Sequence, residues 1–293
     1  MISGAFLLNS KKNENAVEFY KKTSYKIFLP AVIATILLIA FRLAVNILTG
    51  ENPWDGMSGI PKGNFYNMWY IWMLAGLYLL TPGILSVKNK LTHKQYVLCS
   101  LIMLVWAVIS QATSQQSLSY SIGVVIAFVS YFLLGDIIKE AISNGTLQNS
   151  KKNRVICWLI IGVAVLVTFV WRKNGHNYYI AYAYTNFFSP TIALYSVSVF
   201  TLFGLSKVRK DCSRLAGKTY YIYIFHSVVL SISARLISRI SLSEVANIFL
   251  ITIVTFIGAF ILGELFRLFF DKLEQHGMKT KWLNASLWSK LER

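Results

Sequence analysis

The length of its apolar runs constrains this chain more than any other feature. A hydrocarbon core about 30 Å thick takes ~20 residues of helix at about 1.5 Å each. Run after run of this sequence reaches or approaches that length, with Lys, Arg, Asn or Gly marking its ends. Eight full spans are predicted: Tyr25 to Ile47, Met68 to Val87, Tyr96 to Gln111, Tyr120 to Ile138, Val155 to Trp171, Ser189 to Leu205, Thr219 to Ile237 and Asn247 to Phe270. The expected fold class is an all-α polytopic integral membrane bundle, with one transmembrane domain over residues 1–270 and a short basic tail over residues 271–293. Composition agrees, because 55% of the residues are hydrophobic and only 14% are charged, against about 25% charged in an ordinary soluble domain.

Charge then orients the chain. Twenty-nine Lys and Arg against 12 Asp and Glu give a net +17, which in a soluble protein would point to nucleic acid. Here the basic residues sit in short clusters between apolar runs, which argues against a nucleic-acid partner and for membrane lipids. The segments Lys11 to Lys26, Lys88 to Lys94, Lys139 to Arg154, Lys207 to Lys218 and Arg267 to Arg293 hold 23 of the 29 basic residues. Cytoplasmic loops carry the excess of Lys and Arg, so these alternate segments, the C-terminus among them, are expected in the cytoplasm of a multi-pass cell-membrane protein. Cys99, Cys157 and Cys212 show no pairing spacing, so neither a disulfide framework nor a metal site is expected.

Met1 to Leu8 (MISGAFLL) is apolar, yet as a helix it reaches only ~12 Å. It lacks the charged start and small-residue cleavage site of a signal peptide. Either it is a re-entrant piece shielded by protein or the chain begins inside what should be a complete helix, and span length favours the second.

Several segments, in order, resemble the acyltransferase type 3 family, in particular its branch of membrane-bound bacterial O-acyltransferases that act on surface polysaccharides and sugars. MISGAFLL is similar to the family's "F-ISG-LL", and FYKKTSYKIFLP (Phe19 to Pro30) to its basic "FY-KR---RI--P" loop. MWYIWMLAGLYLLTP (Met68 to Pro82) resembles "LWFL---GLYL-TP", YFLLGDIIKE (Tyr131 to Glu140) resembles "YFLLGYYL", and KTYYIYIFHSVVL (Lys218 to Leu230) resembles "YSFGIYLIHPLVL". The resemblance implies a helical enzyme that takes an acyl group from cytoplasmic acyl-CoA, acetyl-CoA first among donors, and delivers it to a hydroxyl of a cell-surface glycan. No permanently bound cofactor is implied. The family's first helix carries an Arg and a His that is its usual candidate base, and this chain has no counterpart, so poor activity of the 293-residue form is expected. Thr23 and Lys26 stand where the basic loop usually has Arg, and Asn67 stands where a His often precedes the "LWFL" element.

Acyl transfer from a thioester to a hydroxyl needs a base, donors for the developing oxyanion and a cationic dock for the CoA phosphates. Lys21, Lys22 and Lys26 gather at the expected cytoplasmic mouth of the first full span. They suit donor phosphates as point charges, and they equally satisfy the positive-inside rule and anionic lipids. His226 is the one histidine placed inside a span, ~10 Å deep. An ionisable group at that depth faces a cavity or a partner, so acid–base work, substrate hydrogen bonding, orientation of another residue and a neutral structural role all remain open to it. His93, His176 and His276 fall in loops or the tail.

For the acceptor side, Arg42 with Asn46 one turn later could line an outward cavity, and Trp69 and Tyr70 offer flat surfaces to a sugar. Ser3 and Gly4 would let a helix approach closely or bend there. Trp72, Tyr178, Tyr179, Tyr182 and Tyr184 fit an interfacial aromatic belt. Asp136 and Glu264 fall near cytoplasmic span ends, and Glu264 with Arg267 at i,i+3 reads as a local ion pair. The glycosylation-like triplets Asn144 to Thr146 and Asn284 to Ser286 lie in expected cytoplasmic segments and are discounted. The competing class is a transporter or flippase of a glycan or lipid-linked sugar, but no internal duplication or matched pair of broken helices accompanies it.

Overall fold

The computed structural model describes residues 1–10, 15–60, 65–113, 122–174, 187–206, 213–240, 243–275, 280 and 282. Tyr178, Tyr179, Tyr182, Tyr184, His176, His276, Cys212, Tyr120 and the triplet Asn284 to Ser286 lie outside them. No strand occurs among the described residues. The helices are α1 (Ile2–Leu7), α2 (Ala16–Thr23), α3 (Leu29–Thr49), α4 (Trp69–Lys88), α5 (His93–Thr113), α6 (Ile122–Ser143), α7 (Lys151–Asn174), α8 (Pro190–Leu205), α9 (Ser213–Ile237) and α10 (Glu244–Gln275). Each of the eight expected spans falls on one of α3 to α10.

Six helical stretches are long and apolar enough to cross a membrane, among them the continuous run Ala16–Thr49, while Pro190–Leu205 is a shorter apolar helix. Side chains such as Trp158, Leu159, Leu166 and Phe169 on α7 stand exposed, as expected of a helix whose outer face meets lipid. The protein is membrane-embedded, an all-α polytopic bundle.

Local sequence explains the element ends. Pro30 has no N–H for a bond to the Lys26 carbonyl and crowds it. Just upstream, Ser24–Phe28 widens into a π turn in which the Leu29 N–H reaches back to the Ser24 carbonyl, the usual place for such a bulge. Helix α3 stops at Gly50, whose φ of 72° lets its N–H return to the Asn46 and Ile47 carbonyls. At the start of α8, Ser189 accepts the Ile192 N–H at 3.2 Å and Pro190 takes the first turn, a pairing of N-cap and proline that satisfies or removes orphan donors.

The chain divides into two compact units, residues 1–19 with 73–208 and residues 20–72 with 209–293. In the first, α1 lies on α6 backbone against backbone. A Cβ on Gly4 would come within 1.8 Å of the Phe132 carbonyl oxygen, and one on Gly135 within 2.1 Å of the Met1 carbonyl oxygen. The carboxylate of Asp136, fully buried, accepts from Asn9 Nδ2 at 2.6 Å, Lys88 Nζ at 2.6 Å and Tyr96 Oη at 2.8 Å. Lys88 also donates to the Leu8 carbonyl at 3.2 Å and Lys139 to the Ala5 carbonyl at 2.9 Å. Cations thus meet the negative end of α1. Tyr131 stacks on Phe188 beside Ala107, Ala127 and Ala193.

In the second unit Ala31, Ala34 and Leu38 of α3 pack with Met68, Ile71, Ile224, Phe225, Val228 and Phe266. Helices α9 and α10 approach through small residues. A Cβ on Gly258 would meet Val229 at 2.7 Å, and one on Gly263 would meet the Tyr221 backbone at 3.0 Å.

Candidate functional site

The polar centre of the second unit is built where the turn Phe65–Asn67 meets α9. Tyr66 and Asn67 have φ of 47° and 57°, and they are the two non-glycine residues with positive φ among the described residues. Asn tolerates that region, whereas a bulky Tyr is strained in it. The strain is held by neighbours. Phe65 and Met68 are buried on either side, the Met68 N–H bonds the Phe65 carbonyl at 3.0 Å, and the Phe65 and Tyr66 rings meet edge to face at 4.6 Å.

From this turn two hydrogen bonds reach α9. Tyr223 Oη donates to the Asn67 carbonyl at 2.7 Å, and Asn67 Nδ2 donates to Ser227 Oγ at 3.1 Å. Ser227 Oγ lies 3.1 Å from His226 Nε2, and His226 Nδ1 sits on the Tyr223 carbonyl. A carbonyl only accepts, so Nδ1 carries a proton, and Nε2 faces the Ser227 hydroxyl. In the Nδ1–H tautomer of the imidazole, Nε2 accepts from the Ser227 hydroxyl. Aromatic faces continue from it: Tyr223 to His226 at 5.0 Å between centroids, Tyr70 to Tyr223 at 5.1 Å and Trp69 to Tyr70 at 6.1 Å. His226 and the adjacent pair Trp69 and Tyr70, far apart in sequence, are joined here through Tyr223.

A family model described as an acyltransferase domain matches residues 1–264. The chain belongs to the acyltransferase type 3 family. No curated protein and no solved structure matches it. The protein is therefore a membrane acyltransferase, and the segments similar to motifs of the acyltransferase type 3 family can be placed one by one.

The basic segment of this acyltransferase runs through α2 and the π turn. Lys22 and Lys26 are exposed and Lys21 half-buried. The backbone that carries them is fastened by Tyr220 Oη on the Ile27 carbonyl at 2.7 Å, by Trp282 Nε1 on Ser24 Oγ at 3.2 Å and by the Tyr25 ring against Phe270 at 5.7 Å. Thr23, at a position where the family usually has Arg, is buried.

At the far end of α3, Asn46 is fully buried and its Nδ2 meets the carbonyls of Asn52, Pro53 and Asp55 at 3.0 to 3.2 Å. Arg42 Nε donates to the Asp55 carbonyl at 3.2 Å. Both residues hold the loop after Gly50. Glu264 and Arg267 form the expected ion pair at 2.6 Å, which Asp271 and Lys218 extend at 2.6 and 3.4 Å. Ser3 belongs to the first unit, where it hydrogen-bonds Tyr78.

Sequence reading did not single out Ser227 or the bridging role of Asn67. The available signal was a serine directly after the span's one histidine, together with an asparagine beside the aromatic pair. Nothing local to either announces a contact across 160 residues.

Proposed function

We propose that this membrane acyltransferase is an O-acyltransferase that moves an acyl group, acetyl first among candidates, from cytoplasmic acyl-CoA to a hydroxyl of a cell-surface glycan or its precursor. The observation that carries this reading is His226, with Nδ1 on the Tyr223 carbonyl and Nε2 beside Ser227 Oγ, at the end of the aromatic line Trp69, Tyr70, Tyr223. Sugar rings pack on aromatic faces through their C–H groups, and a hydroxyl at the end of that line has a basic nitrogen within the same cluster. In the transfer, the acceptor oxygen attacks the thioester carbonyl while its proton passes to Ser227 Oγ and the Ser227 proton passes to Nε2. The C–S bond then breaks, and the departing thiolate takes a proton back from Nε2 through Ser227.

Lys21, Lys22 and Lys26 suit the CoA phosphates, as point charges on a segment anchored by Tyr220 and Trp282. Arg42 joins Trp69 and Tyr70 on the acceptor side. The alternating basic segments support a bacterial plasma or inner membrane location with residues 271–293 in the cytoplasm.

The test is purified chain in proteoliposomes, given radiolabelled acetyl-CoA and a panel of bacterial glycans. Base-labile label should appear on a glycan at a low rate, and His226→Ala should reduce that rate about 100-fold or more. Movement of a glycan or lipid-linked sugar across the bilayer without any acyl transfer would overturn the reading.

A further inference from the structure

Asn67 reaches α9 with its backbone carbonyl and its side-chain amide nitrogen. Its carbonyl takes the Tyr223 hydroxyl at 2.7 Å and its amide nitrogen reaches Ser227 Oγ at 3.1 Å. A left-handed backbone at φ 57°, next to an equally unusual Tyr66 at φ 47°, directs both groups to the same helix. Such conformations are strained and persist where surrounding contacts over-determine them.

The Ser227 hydroxyl is itself buried. With the Asn67 N–H donating to its oxygen, its own proton is directed to the remaining acceptor within reach, His226 Nε2 at 3.1 Å. The Tyr223 carbonyl fixes the opposite nitrogen. The ring is therefore held at both nitrogens, and one of the two holds originates 160 residues away.

We propose that Asn67 is a positioning residue for a Ser227–His226 pair: it orients the Ser227 hydroxyl, which hands a proton to Nε2 of an imidazole locked in the Nδ1–H tautomer. This rests on the reading of His226 as the group that takes the hydroxyl proton, but its structural part is measured without turnover.

The experiment uses the full chain in lipid nanodiscs, with 15N-labelled histidine, the His226 signals being assigned by their disappearance in His226→Gln. Wild-type protein should give a neutral Nδ1–H ring with a hydrogen-bonded Nε2. Ser227→Ala removes the hydroxyl. Asn67→Gly keeps the left-handed backbone and removes the amide. Asn67→Asp keeps shape and backbone but accepts the Ser227 proton instead of donating, which turns the hydroxyl away from Nε2.

All three variants should shift the Nε2 signal and lower kcat for acyl transfer about tenfold, the effect of one hydrogen bond, with KM for acetyl-CoA unchanged. Ser227→Thr, which retains the hydroxyl, should restore both. An unchanged Nε2 signal in folded Asn67→Asp and Ser227→Ala would overturn the proposal, whatever the activity. Shifted signals with no acyl transfer even in the wild type would uphold the positioning and sink the acyltransferase reading of this site.

Discussion

Asp136 is a carboxylate with no access to solvent, shared by donors from residues 9, 88 and 96. Lys88 is the charge that compensates it, so the two residues should respond differently to truncation. Removing one member of a buried ion pair leaves an unpaired charge and costs about 3–5 kcal/mol. Lys88→Met should therefore lower the thermal midpoint in detergent strongly, and Lys88→Met with Asp136→Asn should recover part of the loss. A double variant no more stable than Lys88→Met alone would show that the charge pair is not what the site depends on. The contrast with Glu264 is instructive. Its pairing with Arg267 is readable in sequence because the partners are three residues apart on one helix, whereas the partners of Asp136 stand 127, 48 and 40 positions away and no local pattern names them.

Elements in this protein meet where side chains are absent. Helix α1 is too short to be stable alone, since isolated helices under ~12 residues are marginal in water. It exists because it lies on α6 with Gly4 and Gly135 at the crossing. Gly4→Ala or Gly135→Ala should push the two backbones apart at about 1–3 kcal/mol, read as a lower midpoint. Gly83→Ala, whose new methyl meets nothing within 4 Å, should leave the midpoint unchanged or raise it slightly. Equal effects at all three positions would remove the crossing from the account. The long helices were legible for the opposite reason: lipid allows a spanning segment few polar residues, so composition alone marks it. The close approach at Gly4 was legible as a tendency of small residues, while its partner in α6 was not.

For the molecule as a whole, the alternation of basic segments makes a claim about sidedness that labelling can check. In a chain freed of Cys99, Cys157 and Cys212, a cysteine at Gly59 should react with an impermeant reagent added outside, and one at Asn144 should not until the membrane is opened. External reaction at Asn144 would invert the topology and with it the cytoplasmic placement of Lys21, Lys22 and Lys26. The spans and their order were readable because each rests on local composition. The turn that joins Asn67 to His226 was not, because an asparagine in a left-handed conformation has no spelling that separates it from an ordinary one.

Helix α10 is 32 residues long, a rise of ~48 Å against a hydrocarbon layer of about 30 Å. A tilt near 20° shortens its projection only to ~45 Å. The interval from Glu244 to Glu264 contains no charged residue and measures ~30 Å, so this stretch works as a gauge of bilayer thickness. Beyond it the helix continues without a break as a charged post some ~16 Å tall, bearing Glu264, Arg267 and Asp271 in one linked row. Shortening the uncharged interval by one turn would draw the ionic row into the acyl chains, and lipids of different thickness would then favour different depths for the whole helix.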